Sequence, residues 1–207
     1  MEIRGLFGYI SHEAVAHFDH LTLRLDKSNL DMPEIYYAVY QNIIAISLFN
    51  HEAHLFSHSY NGLNNLNRIE KILKKDNTTA YKFKKKGDKS SNLTDKEFIG
   101  MVNKAKEHCF RGDVFQLVLS RRFTQGFTGD EFNVYRTLRS INPSPYLFFF
   151  DYGDFKIFGS SPEAQLVVEQ GKAEIHPIAG TFKRTGNDEE DKASAERLAA
   201  DPKENSE

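Results

Sequence analysis

The chain has 207 residues and a net charge of −2, and 40% of it is hydrophobic, with 17 Phe and 9 Tyr. This balance excludes a global field for nucleic acid or an anionic membrane, and it supplies a core able to bury roughly 70% of the unfolded surface. Cys109 is the sole cysteine, which excludes internal disulfides, and no run of about 18 apolar residues offers a membrane span. A cytoplasmic protein without nucleic-acid or membrane partners is therefore expected.

Residues 6–10 read as a strand, followed by a helix over 11–20 with Ser11 as its N-cap. Residues 35–49 are rich in Tyr, Val and Ile and break at Gln41-Asn42. With 53–58 they predict a meander of three strands. Helical spacing of Leu63, Leu66, Ile69, Ile72 and Leu73 predicts a helix over 63–74 packed on that sheet. His51, His54 and His58 read as a solvated edge: on a strand His54 and His58 share one face and His51 takes the other. Residues 76–92 are polar and lysine-rich, with Lys82, Lys84, Lys85, Lys86 and Lys89. They read as a solvated connector between a β-rich domain at 1–92 and a second domain at 93–207. No aromatic interleaving marks them as a nucleic-acid patch.

Thr94 and Glu97 form a capping box that opens a helix with Phe98, Met101, Val102, Ala105 and Cys109 on one stripe, stopped at Gly112. Residues 114–123 are near-continuously apolar up to Leu119, which predicts a central strand. A helix over 130–141 must end before Pro143. Residues 146–150 and 155–158 read as a hairpin. Two further strands, carrying Leu166-Val167-Val168 and then Ala173, Ile175 and Ile178, turn at Gln170-Gly171-Lys172. An antiparallel hairpin returns to the end it left, so Glu163 and Thr181 are expected at one end of a sheet. Nearby glycines would let backbone amides approach a small, anionic ligand. A charged helix follows over 188–200. The order is that of an α+β fold, mostly antiparallel β-sheets flanked by helices.

Six segments, RGLFGYI (4–10), GDVFQLVLS (112–120), NPSPY (142–146), GSSPE (159–163), PIAGT (177–181) and DPKE (201–204), occur in an order that resembles the chorismate-binding enzymes. The likeness is greatest to the branch of anthranilate synthase component I. It implies a partial α/β sandwich in which chorismate and Mg²⁺ lie between two facing sheets. It also implies a reaction of tryptophan biosynthesis: ammonia from a glutamine amidotransferase subunit adds at ring C2, the C4 hydroxyl leaves, and pyruvate is eliminated. By the same resemblance Glu163 is the general acid at the departing hydroxyl. Thr181, with the Ala179 and Gly180 backbone, contacts substrate. Glu204 and Glu207 are Mg²⁺ ligands, and their i, i+3 spacing puts both carboxylates on one helix face. Asn142, Pro143, Ser144, Pro145 and Tyr146 match half of a tryptophan effector site.

Two positions bear on the branch. Gln116 stands where water-activating relatives carry Lys, and an amide cannot abstract a proton. Ala179 stands where the para-aminobenzoate branch typically carries a nucleophilic Lys. The resemblance further implies an internal fragment without the family's later catalytic half, inactive alone and prone to self-association through uncovered apolar surface.

Without the resemblance the same residues have plainer readings. Glu163 is a surface acid, Thr181 a strand-end hydroxyl, Gln116 a hydrogen-bonded structural amide, and Glu204 with Glu207 a frayed acidic terminus. Residues 142–146 are a helix stop and a rigid turn. Two other functions compete: a component of aminodeoxychorismate synthase, and a non-catalytic amino-acid-binding module.

Overall fold

The structure, a computed structural model, describes residues 5–23, 31–59, 61–75, 81–176 and 182–202. The chain falls into two units, Met1–Glu131 with Tyr152–Phe155, and Phe132–Asp151 with Lys156–Glu207. Among the described residues there are five antiparallel two-stranded sheets and four α-helices. The α+β expectation holds.

In the first unit β1 (Phe7–Ile10) pairs with β2 (Ile35–Ala38), with Tyr9 opposite Tyr36. Aromatic and β-branched side chains suit this pleated surface. The Tyr9 hydroxyl donates to the Pro33 carbonyl at 2.8 Å. The Tyr36 and Tyr152 rings lie 4.4 Å apart, and Tyr9 and Phe155 complete the cluster. Partial desolvation raises the Tyr9 and Tyr152 hydroxyl pKa values above the usual range.

The helix expected over 11–20 is only a 3-10 helix at His12–His17, and Ser11 makes no side-chain capping bond. The Asp19 carboxylate takes the His20 amide at 2.7 Å, offering the backbone an alternative to another helical turn. The expected three-stranded meander is also corrected. Strand β3 (Asn42–Ser47) pairs with β4 (Glu52–Ser57), whereas β2 pairs with β1. The Gln41 carbonyl, at the break, accepts from the His58 amide at 2.7 Å and so extends the β3–β4 hairpin. Helix α1 (Leu66–Leu73) packs beside β4, and the Asn65 amide donates to Ser57 Oγ at 3.2 Å.

Half of the lysine-rich connector is a strand and not a loop. Lys84–Ser91 is strand β5, paired with β6 (Phe123–Thr128) across a register shift between Lys86 and Ser90. Its eight residues are all exposed, so no apolar alternation could announce it. The pairing is supported instead by backbone bonds and by long side chains lying on rings. Lys89 Nζ and Arg121 Cζ each sit 4.6 Å from the centre of the Phe123 ring, and Phe83 stacks on Phe127.

Helix α2 (Asp95–Phe110) begins as expected. Thr94 Oγ1 accepts from the Glu97 amide, and the Glu97 carboxylate accepts from the Thr94 amide. It also ends as expected: Gly112, at φ +76°, lets the Gly112 amide reach the Cys109 carbonyl and the Asp113 amide reach the His108 carbonyl, each at 3.0 Å. These are the two bonds of a Schellman stop. The central strand expected over 114–123 is corrected: the pairing begins only at Phe123. Strand β5 ends at Ser91 and its chain turns into α2, so among the described residues no strand pairs with 114–122.

In the second unit α3 (Phe132–Ile141) packs on the hairpin of β7 (Tyr146–Asp151) and β8 (Lys156–Ser161). Phe149 stands opposite Phe158 with rings 5.6 Å apart, and Phe132 and Tyr135 of α3 cover Phe149 at 4.9 and 5.4 Å. Strands β9 (Val167–Glu169) and β10 (Lys172–Glu174) turn through Gln170 and Gly171, both at positive φ. This is the two-residue turn that matches strand twist. Helix α4 (Asp188–Ala200) is capped by the Asn187 side chain, which accepts from the Glu189 and Glu190 amides. Among the described residues Ala14 is the only fully buried apolar side chain.

Candidate active-site elements

Glu163 lies just past β8, where Pro162 withholds a backbone donor and ends the pairing. The Glu163 amide donates to Ser161 Oγ at 3.3 Å, and the Ser161 hydroxyl donates to the Glu163 carbonyl at 3.2 Å. A short turn thus fixes the backbone while the carboxylate stays exposed. The 142–146 turn lies at the same end of the hairpin. Tyr146 is the register partner of Ser161, and the Ser160 hydroxyl donates to the Asn142 carbonyl at 2.7 Å. The proposed acid and the half-site assigned to tryptophan are therefore neighbours, a proximity that sequence spacing alone did not show.

Gln116 is exposed and belongs to the first unit, in the segment before β6. Ala179, Gly180, Thr181, Glu204 and Glu207 lie outside the described residues. The described part of the β9–β10 hairpin sets Val167 opposite Glu174, so the chain leaves β10 beside the point where it entered β9. Among the described residues, no group of three or more His, Cys, Asp or Glu side chains is placed to hold a metal. No described helix is long and apolar enough to cross a membrane.

One set of residues was missed at the sequence level. Lys183, Arg184 and Lys192 line an open cleft of about 400 Å³ with Asp188, Asp191 and Ser194. The Asp191 carboxylate accepts from the Thr185 amide at 2.7 Å and lies 3.5 Å from Arg184 Nε. The Thr185 amide is the main reason its carboxyl stays below the usual carboxylate range. Asp191 therefore pairs with Arg184 as well as Thr185, and Lys183 and Lys192 complete the basic part of the lining. The available signal was the adjacent Lys183-Arg184 pair, two residues after Thr181.

The profile of the chorismate binding enzyme family matches residues 1–207. Anthranilate synthase component 1 of Aquifex aeolicus is 50% identical over 117 residues, which is 56% of this chain and 24% of that protein. Its counterpart in Acetivibrio thermocellus is 33% identical over 218 residues, covering 97% of this chain and 44% of that protein. The crystal structure of anthranilate synthase component I from Streptococcus pneumoniae TIGR4 superposes with a TM-score of 0.78 at 28% identity, over 98% of this chain and 46% of that one. The chain thus spans less than half the length of these relatives. A profile match over the full length, together with the fold likeness, makes this chain a member of the chorismate binding enzyme family.

Proposed function

We propose that the chain supplies part of the catalytic domain of an anthranilate synthase component I, a carbon–oxygen lyase of tryptophan biosynthesis acting in the cytoplasm. Relatives that carry this name match almost the whole chain, and this observation carries the reading.

In the proposed reaction a C–N bond forms between ammonia and ring C2 of chorismate, and the C4–O bond breaks. Glu163 gives its proton to the departing C4 hydroxyl, which leaves as water. Loss of the C2 proton and of the enolpyruvyl side chain as pyruvate then gives the aromatic product. A positioned acid of this kind typically contributes 10²–10⁴ in rate, on the order of 3–5 kcal/mol of barrier. Gln116 supplies an amide where a base would activate water, which leaves ammonia as the nucleophile. Thr181 and the Ala179–Gly180 backbone contact the substrate. Ammonia comes from a glutamine amidotransferase subunit, and tryptophan is the effector read by residues 142–146.

Mg²⁺, if held by Glu204 and Glu207, would orient the substrate carboxylate. Both residues lie outside the described ones.

The test supplies chorismate, ammonium and Mg²⁺ and follows anthranilate fluorescence. The isolated chain is expected to be inactive. Combined with a polypeptide that carries the rest of the family fold, it is expected to form anthranilate, and E163Q should lower that rate by at least about 100-fold. Formation of aminodeoxychorismate in place of anthranilate would overturn the assignment.

A further inference from the structure

The connector between β4 and α1 carries a reactive pair that the proposed reaction does not use. Of the asparagines in the chain only Asn61 is followed by glycine. Asn61 and Gly62 lie in an exposed turn, at φ +51° and +75°. Left-handed backbone at two successive positions is adopted most readily by Asn and Gly. A Cβ built on Gly62 would meet nothing within 4 Å, so the space beside it is open to water. Among the described residues neither the Asn61 side chain nor the Gly62 amide makes a hydrogen bond.

Other asparagines in turns and caps are engaged. Asn50, in the β3–β4 turn, donates to the Glu52 carboxylate at 2.6 Å and is followed by His51, not by glycine. The Asn92 side chain accepts from the Arg122 amide at 2.8 Å, and Asn187 caps α4. These side chains serve local structure. Asn61 has no such task.

A free side-chain amide next to a free backbone amide can react without an enzyme. The Gly62 nitrogen, having lost its proton to water, attacks Asn61 Cγ. A C–N bond forms to the backbone, the bond to the side-chain nitrogen breaks, and that nitrogen leaves as ammonia. Because the two groups belong to adjacent residues, the step is intramolecular. The missing Cβ of Gly62 leaves the approach unhindered. Water then opens the cyclic imide at either carbonyl. One opening gives aspartate; the other gives isoaspartate, whose main chain runs through the former side chain and is longer by one carbon.

Helix α1 is the element that this change reaches. It has eight residues, no side-chain cap and no acidic residue in its first turn, and a helix this short does not persist by itself. Its start is tied to the β3–β4 hairpin at Asn65. The Asn65 amide donates to Ser57 Oγ at 3.2 Å, and its side chain donates to Gln41 Oε1 at 3.3 Å. One more backbone carbon between Ser57 and Asn65 adds about 1.5 Å of chain beside these bonds.

We propose that Asn61 deamidates spontaneously to aspartate and isoaspartate, and that the isoaspartate form loosens α1 from the β3–β4 hairpin. The inference is independent of the family reading.

The test incubates the 207-residue chain and a free peptide of residues 57–67 in isotopically labelled water and maps the products by mass spectrometry. Asn61 should be the first asparagine of the chain to convert, taking up labelled oxygen. Its rate should lie within about tenfold of the peptide's, since an unheld turn opens at little cost. Converted chain, separated by its added negative charge, should exchange the α1 amides at least about fivefold faster than fresh N61D, which carries the charge without the longer backbone. N61Q aged alongside should keep its original α1 exchange. Retention of the Asn61 amide while the peptide converts overturns the proposal, as does earlier conversion of another asparagine. Equal α1 exchange in converted chain and N61D overturns it too, and so does an equal rise in aged N61Q.

Discussion

Strand β5 and residues 115–120 flank the same helix and differ in almost every respect. Strand β5 is lysine-rich and wholly exposed, yet its backbone is hydrogen-bonded to β6. Residues 115–120 carry Phe115, Leu117, Val118 and Leu119, yet their backbone has no partner among the described residues. The contrast shows that side-chain composition sets which faces a strand can bury, while a neighbouring backbone decides whether the strand exists. Strand β5 has β6 beside it and needs little apolar surface. Residues 115–120 have the surface and lack the neighbour.

The strongest way to break this contrast acts on the paired side. Gly129, directly after β6, sits at φ +97°, and an added Cβ would overlap the Lys82 carbonyl oxygen and lie 2.8 Å from its carbon. Gly129→Ala combines left-handed strain of about 1–2 kcal/mol with that overlap. Amide protection across β5 and β6 is expected to fall by at least about 30-fold, equivalent to about 2 kcal/mol, as hydrogen exchange will read directly.

A smaller effect is expected at the start of α2. Thr94→Ala removes a side-chain cap and should cost about 1 kcal/mol of helix stability, seen as faster exchange in the first helical turn. The same site sets a pH dependence. Bonds from the Thr94 amide and hydroxyl hold the Glu97 carboxyl below its ordinary pKa. Because the folded value is the lower one, this stabilisation is complete above the ordinary carboxylate range and is lost as pH falls through the folded value. E97Q should therefore flatten the acid limb of first-turn protection, and T94A should shrink it.

The smallest effect sharpens the comparison. Val118→Ser should change the stability of the isolated chain by less than about 0.5 kcal/mol, because the side chain touches little. A larger loss in a thermal melt would mean that the segment already packs against something in the isolated chain.

Legibility from sequence follows the same division. The capping box at Thr94, the stop at Gly112, the limits of α4 and the Gln170-Gly171 turn are local chemistry, and each appears where the residues require it. Strand pairing is not local. The β2–β1 pairing, the β5–β6 pairing and the missing strand over 115–120 all depend on which backbone lies alongside, and composition carries no record of that. At the candidate site, Glu163 could be singled out by resemblance alone. Its adjacency to the 142–146 turn required the β7–β8 register, and only the cleft sets Lys183 and Arg184 beside Lys192.

Side-chain bonds tie Asp113 to the C-terminal tip of α2 and Arg121 to its N-terminal tip. Unwinding one turn at either tip would move an anchor by about 5.4 Å. A substitution that frays either tip would thereby loosen the segment between the anchors without touching it.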